Sequence, residues 1–580
     1  MIRSTFAGFT TAQLGMAASQ RALDVTGQNI TNINTPGYTR QRLDIVSLNT
    51  QKGDYYNSKS NIKVGFGVEM TGISQLRDPF LDAQYRSQIS KLGTSDAHAA
   101  GFELLTPIFD EATLSGVRDA FISLTSALNT LSTPAGIAND ENDAMVRSKM
   151  QILLNLFREN SVRLEDVRDN VQTGFATTDV ADLNQLLDNI ANLNVSIKNS
   201  QILGNPALEL QDQRNSLLDE LGSYLPIDVK YKDQEIGPNQ YVEVLNVTFT
   251  DTDGVKRSLI SDSRAAQFDA IINDKSARLI LADAKGGTTD VTDVLGSGTL
   301  KGTLDLINKS GDFDGTDFRG IGYYEKALDS LVATFAEEFN KMNIPLDDKG
   351  NPKNLVDADG NPVEVKDADG NFIYLQERDT NGNLVFDTTD PNNPKPVYYK
   401  DAITGDPVYD YALFQKKDDS LPFSASNIKI ADGWTNGTYK ITASNNYVVT
   451  DQETGSTANE NVLNMIKLLE KDIAFKVPVT DAKGGQRDVR FFTGNFHDCF
   501  ANLEATLGID YKAENTMLTN QISVLNQTSN SRDGVSGVQL DEEGMNLLHY
   551  NQSYTAAARL MTTLDEALDV LINRTGVVGR

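Results

Sequence analysis

Few side chains in this chain are suited to chemistry. Three histidines, His98, His497 and His549, and one cysteine, Cys499, are all it holds of those types. The run His497-Asp498-Cys499 offers a base, an acid and a thiol. Adjacent side chains on a strand or helix point in different directions, however, and a nucleophile and its base must converge. A surface or half-buried cluster is the expected reading, with Cys499 packing as a small hydrophobe. No HExxH zinc motif, GxGxxG turn or phosphate-binding loop occurs. Paired carboxylates alone can hydrolyse glycosides, and acidic residues are plentiful, but no spacing singles out a pair. No catalytic, cofactor-binding or metal-binding residue is assigned, and no enzymatic activity is expected.

The densest carboxylates lie between residues 344 and 400, where "DDKGNP", "DADGNP", "DADGNF" and "DTNGN" recur. Calcium is one reading. An EF-hand loop needs Asp first and Gly sixth, whereas "DADG" places Gly fourth. Asp-Gly and Asn-Gly pairs between strand-like "VEV", "FIYL" and "LVF" predict successive hairpins instead. Residues 344–456 are therefore expected to form an inserted, acidic, β-hairpin-rich outer domain.

Composition bounds the frame that carries these segments. At 580 residues the chain is too long for one core and predicts several folding units, and its 39% apolar content suffices to fill them. No apolar run approaches the ~18 to 20 residues that span a bilayer. The 52 basic against 80 acidic residues give a net charge of −28, a field that repels nucleic acid and anionic membranes, so neither is an expected partner. A single cysteine excludes an intrachain disulfide framework. The opening "MIRSTFAGFTTAQLGMAAS" lacks the basic cluster and continuous apolar core of a cleaved secretory signal, so any export must read something else.

The two ends carry the clearest periodicity. Between Thr5 and Ile30 there is no proline, and Phe9, Met16, Leu23 and Ile30 recur every seven residues, with small Ala12, Ser19 and Thr26 three residues after the first three. Near the other end Leu547, Tyr554, Met561 and Leu568 occupy one heptad position, and Tyr550, Ala557, Leu564 and Leu571 the other. Both ends read as long helices with matching apolar stripes, the pattern of a coiled coil. Asp541, Glu542 and Glu543 place negative charge in the first turn of the second, where the helix dipole favours it. A lone pair of helices is marginal without a third surface. Both tails are therefore expected to be largely disordered in the free chain and to fold when neighbouring subunits complete the packing.

Between the first helix and the rest stands "NITNINTPGYTRQ", residues 29–41. Asn29, Asn32 and Asn34 are residues that tolerate a left-handed helix end, Pro36 and Gly37 suit the centre of a type II turn, and Tyr38 follows. The run predicts a helix stop and a corner whose direction matters.

Further helices are expected from Asp78-Pro79 onward and around 142–172, 179–199, 207–222, 323–342, 461–471 and 509–529. Apolar faces such as Leu183, Leu187, Ile190 and Ile197, or Leu328, Leu331, Phe335 and Phe339, predict an elongated bundle. Residues 226–296 alternate apolar and polar and predict a strand-rich domain. The expected fold is multidomain α+β: terminal helices paired as a coiled coil, an elongated α-helical bundle beside them, and inserted β-rich outer domains. The corresponding segments are 1–50 with 535–580, then 51–225 with 297–343 and 457–534, then 226–296, then 344–456.

"NITNINTPGYTRQ", "LELQDQRNSLLDEL" at 208–221 and "GVSGVQLDEEGMNLLHYNQSYTAAARLMTTLDEALDVLIN" at 534–573 together resemble the rod, hook and hook-associated proteins of the bacterial flagellum. Among those, they are most similar to the hook-associated proteins that join hook to filament. The likeness covers about residues 1–230, 297–343 and 490–580. Gly544 and Asn551 depart mildly from the C-terminal pattern without changing its register.

The resemblance implies a non-enzymatic structural adaptor, exported by the flagellar type III system without a cleaved signal peptide and located on the extracellular flagellum. It implies assembly into an annular homo-oligomer through paired terminal helices. The hook protein is the implied partner below, and the next hook-associated junction protein the partner above. A cytoplasmic export chaperone on the C-terminal helix, over Leu547 to Leu571, is implied as well. Two alternatives compete: a hook or distal rod subunit, and a surface-exposed ligand-binding or enzymatic protein that uses residues 344–456 on a flagellar scaffold. "LQDQRNSLLDEL" and "SGVQLDEEG" argue against the first.

Overall fold

The structure is a computed structural model that describes residues 5–48, 65, 67–109, 116–137, 139–237, 240–311, 313, 318–343, 386–387, 395–396, 411–443, 459–480 and 486–574. The recurring acidic turns, and with them the calcium question, lie outside the described residues.

The chain begins with α1 (Thr5–Thr31), passes through an antiparallel hairpin of β1 (Gln41–Ser47) and β2 (Val68–Gln75), and enters the body at α2 (Pro79–Phe109). Then come α3 (Val117–Leu131), the single turn α4 (Pro134–Ile137), α5 (Asp140–Gly174), α6 (Val180–Ile202) and α7 (Leu208–Tyr224). One π turn, Phe175–Asp179, carries α5 into α6 without a break. Two antiparallel sheets follow in sequence order: β3 (Asp228–Gly237), β4 (Gln240–Thr250), β5 (Lys256–Ser261) and β6 (Arg264–Ala265), then β7 (Gln267–Asn273), β8 (Ser276–Ala282) and β9 (Thr288–Asp290). The helical body resumes with α8 (Thr299–Asn308), α9 (Ile321–Met342), the turn α10 (Asp432–Thr435) and α11 (Glu460–Glu470). A hairpin of Ile473–Thr480 with Gln486–Gly494 leads into α12 (Phe496–Ser536), and α13 (Leu540–Asp569) runs on into a final π turn.

Caps set several of these starts. Asp78 accepts the Phe80 N–H at 2.9 Å ahead of α2, Asn139 accepts the Glu141 N–H at 3.0 Å ahead of α5, and Asn495 accepts the Asp498 N–H at 2.8 Å ahead of α12. The proline-first start of α2 matches the sequence expectation. The helices α3 and α8 carry no such signal, and sequence reasoning missed both.

Two cores hold the body. The first is aromatic and gathers α2, α3, α5, α9, α11 and the first turns of α12 around Phe335, which meets Phe121, Phe157, Phe339, Phe414 and Phe496 with ring centroids 4.6–6.4 Å apart. Residues 411–443, grouped by composition with the acidic insertion, bury Tyr411, Phe414 and Trp434 in this same core. The Trp434 indole N–H donates to Asp143 at 2.9 Å. The second core lies where α6, α7 and α8 cover the sheets. Leu245, Val247 and Phe249 of β4 point inward at every second position, onto Leu183, Leu187 and Ile190 of α6. No helix among the described residues is long and apolar enough to cross a membrane.

The tails depart from the expectation of disorder. In the single chain α1 and α13 are helical and packed on each other. The helix pair has a third surface: α1 also packs on the β1–β2 hairpin, and the C-terminal end of α1 and the N-terminal end of α13 are tied to the body by the corner described next.

Candidate assembly interface

The corner begins at the end of α1. Asn29, only 1% exposed, accepts the backbone N–H of Gln41 and the hydroxyl of Tyr38, and donates to the Gln41 carbonyl, each at 2.9 Å. Asn32 donates to the Gln28 carbonyl at 2.9 Å and accepts the Thr35 hydroxyl at 3.1 Å, closing the last turn of the helix. Thr35-Pro36-Gly37-Tyr38 then makes a turn closed by Tyr38 N–H to Thr35 carbonyl at 3.2 Å, with Gly37 at φ +75°. That is the type II geometry expected for Pro36-Gly37. The asparagines act differently from expectation: none of Asn29, Asn32 and Asn34 has positive φ. Asn29 and Asn32 end the helix with their side chains rather than with a left-handed backbone, which leaves glycine to supply the only positive φ of the turn.

The three segments that carry the resemblance meet at this corner. Thr39 donates its N–H to Asp212 of α7 at 3.2 Å, and Arg40 donates its N–H to the carbonyl of Ser536, the last residue of α12, at 2.9 Å. The Arg40 guanidinium reaches Glu543 of α13 at 2.6 Å and also Glu542. Burial alone would lower the pKa of Arg40, but these two carboxylates outweigh it and raise it. Burial pushes Asp212 up, against the pull of Thr39 and Arg77. Burial, joined by Asp212, Glu209 and Glu543, also raises the Tyr38 phenol, which therefore stays protonated to donate to Asn29.

Behind the corner a chain of alternating charges binds α2, α7 and α12. Arg77 lies 3.0 Å from Asp82 and 3.9 Å from Asp212; Arg532 lies 4.0 Å from Asp82 and 2.5 Å from Asp219, which in turn holds Arg86 at 2.8 Å. The Arg532 guanidinium also covers the Tyr85 ring, 3.8 Å from its centroid.

Below the corner α1 and α13 run antiparallel. A β-carbon added to Gly8 would meet Leu564, and one added to Gly15 would meet Ala557 at 3.8 Å. Steps of seven residues carry that register to Ala22 opposite Tyr550 and Asn29 opposite Glu543. The buried line of α1 accordingly holds Ala12, Ser19, Ala22, Thr26 and Asn29, with Ala18 and Val25 buried beside it, all between 1% and 9% exposed. Phe9, Met16, Leu23 and Ile30 flank that line and are half-buried. On α13 Tyr550, Met561, Leu564 and Leu568 are half-buried, while Leu547, Tyr554 and Leu571 are 39%, 37% and 55% exposed.

Much apolar surface thus remains open in the single chain. Beside those three, Leu540, Met545, Leu548, Leu560 and Ile572 of the C-terminal helix are exposed, and so are Ile509, Met517, Ile522, Val524 and Val535 along α12. Past Leu507, α12 has no buried residue. Exposed apolar side chains in such number along two long helices are of the kind that close against other chains. Its framing residues Arg77, Asp82, Asp219 and Arg532, and the small seam through Gly8, Gly15 and Ala22, were missed by sequence reasoning. A 4-3 spacing of small residues from Gly8 to Asn29 was the available signal for the seam.

The run His497-Asp498-Cys499 makes no catalytic group. His497 and Asp498 are exposed with their nearest polar atoms 3.4 Å apart, whereas Cys499 is fully buried and its thiol pKa is pushed up by that burial. Among the described residues no three His, Cys, Asp or Glu side chains are placed to hold a metal ion.

Residues 103–348 match the family described as flagellar hook-associated protein FlgK helical domain, residues 9–39 the flagella basal body rod protein family, and residues 534–574 the flagellar basal body rod FlgEFG protein C-terminal family. The chain is 27% identical to flagellar hook-associated protein 1 of Bacillus subtilis (strain 168), with 100% of both chains covered. It is 25% identical to flagellar hook-associated protein 1 of Escherichia coli (strain K12), over 97% of this chain and 98% of that one. Among solved structures it is similar to the flagellar hook junction protein FlgK from Burkholderia pseudomallei, at 13% identity and a TM-score of 0.48, covering 78% of this chain and 100% of that one.

Proposed function

The chain is a homologue of flagellar hook-associated protein 1 along its whole length, and from that premise we propose that it is the structural adaptor of a hook–filament junction. Its role is mechanical rather than catalytic, and it belongs to the extracellular flagellum. One observation carries the assembly reading: α13 and most of α12 leave many apolar side chains without cover in the single chain. Adjacent copies laid side by side along these helices would bury them, with Leu547, Tyr554 and Leu571 closing against neighbours. The product is a thin annular layer with the hook protein below and the next junction protein above. Before export the same stripe from Leu547 to Leu571 would be covered by a cytoplasmic chaperone, which would also prevent early polymerisation.

Complementation tests the reading. In a flagellated strain lacking its own hook-associated protein 1, the full chain is expected to restore filaments on hooks seen by electron microscopy. A chain without residues 540–574 is expected to be exported poorly or to leave bare hooks. Filaments seated by the truncated chain would overturn the proposal.

A further inference from the structure

Within the thirty residues of α13 a single side chain is buried, and it is a carboxylate: Glu543, at 1% exposure. A carboxylate removed from water has to be paired, and an arginine fork supplies both charge and two aligned N–H donors. Arg40 is that partner. It lies outside both tail helices, and its backbone is pinned on either side: its N–H donates to Ser536 and its carbonyl accepts the Leu76 N–H, both at 2.9 Å. Asn29 grips the next residue, Gln41, through both backbone groups, and Thr39 before it is held by Asp212. The backbone that carries the guanidinium is therefore held by groups outside α13. Elsewhere along α13 no side chain is fully buried: Tyr550, Met561, Leu564 and Leu568 are only half-buried.

We propose that Arg40 is a positioning residue that seats the C-terminal helix: the folded corner presents one fixed cation, and α13 docks within the same chain by delivering Glu542 and Glu543 to it. This deepens the reading of the tails as the assembly element and rests on that reading only for its effect in the polymer. It sets an order, body before corner and corner before C-terminal helix. A chain whose N-terminal corner has not folded would leave α13 undocked.

The test uses hydrogen exchange on the full, unassembled chain, comparing wild type with Arg40→Met, Glu543→Gln and the pair. Arg40→Met keeps most of the side-chain volume but strands Glu543, so exchange over residues 541–556 is expected to rise at least tenfold while α7 is unchanged. Glu543→Gln alone is expected to have a smaller effect. In the pair the loss is expected to be no larger than in Arg40→Met alone, because both substitutions remove the same contact. An Arg40 that acts independently of Glu543 would give losses that add in the pair, and that result overturns the proposal. So does an absence of protection over α13 in the wild-type chain. If Arg40→Met also loses protection in α5 and α9, Arg40→Lys decides, because it keeps the charge without the fork. Protection over α13 is then expected between wild type and none, and complete loss with α5 intact overturns the idea. Because no assembly is involved, a chain that passes this test yet seats no filaments counts against the proposed function alone.

Discussion

Asn29 treats Gln41 as a neighbouring strand would, donating to its carbonyl and accepting its N–H at 2.9 Å each, from inside a helix. One carboxamide thereby ends α1, starts β1 and takes the Tyr38 hydroxyl as a third bond. Asn29→Ala would leave these three partners unsatisfied in a buried place, and about 3 kcal/mol of destabilisation is expected. Asn29→Asp keeps both acceptor bonds but sets a carboxylate against the Gln41 carbonyl, so it should lie between the two. Urea denaturation of the three proteins checks the order.

Much of this corner was legible, because local rules decided it. Pro36-Gly37 fixes a type II turn wherever it stands, and the charge of Asp541 to Glu543 marks a helix start. The partners were not legible: Thr39 finds Asp212, and Arg40 finds Glu543, only through the fold, and nothing in the local sequence names either. The seam shows the same limit. Heptad counting put both the bulky Phe9, Met16, Leu23 and Ile30 and the small Ala12, Ser19 and Thr26 on the seam; the small half is fully buried and the bulky half only half-buried, a division that counting does not give.

Two groups should give the stability a downward slope with pH. Burial raises Asp329 to about 6 from 3.8, so the folded chain holds that proton more tightly than the unfolded one. Stability is then lost as pH rises from about 4 to 6, by roughly 2–3 kcal/mol at most. Asp329→Asn, which can still accept the Ala425 N–H, should recover it above pH 6. His98 lies 3.6 Å from Asp305 and 3.5 Å from Glu514 and stacks on Phe318. Burial lowers its pKa, but these carboxylates prevail and raise it. Its contribution is complete below pH 6.5 and fades as pH rises through the raised value, and His98→Gln should remove that part of the slope. Denaturation midpoints between pH 4 and 8.5 read both.

Asn343 and Tyr411 lie together at the edge of the aromatic core, the Asn343 amide donating to the Tyr411 carbonyl at 2.6 Å. The segment 344–410 thus leaves and returns at one point. Replacing it with a short Gly-Ser linker should leave thermal stability within a few degrees of wild type, since closing a short loop costs little. Filaments should still seat on hooks, whereas the rival reading, which puts a ligand-binding or enzymatic function in residues 344–456, expects that function to be lost. Extending the deletion to 443 removes Phe414 and Trp434 from the core and should unfold the body. Circular dichroism melts separate the two deletions.

Two glycines test the distinction between a seam with room and one without. At Gly15 a β-carbon would touch the Ala557 β-carbon at 3.8 Å, an ordinary contact, so Gly15→Ala should stabilise α1 by up to about 1 kcal/mol through helix propensity alone. At Gly302 the same atom would lie 2.8 Å from the Thr94 carbonyl oxygen and 2.7 Å from the Ala97 β-carbon. Neither neighbour is the end of a flexible side chain, so α8 must slide away from α2, and a loss of about 1–3 kcal/mol is expected. The signs are opposite although the substitution and the secondary structure are the same, so any account by propensity alone predicts the wrong result at Gly302. Hydrogen exchange in α1 and α8 of the two variants measures each effect where it arises.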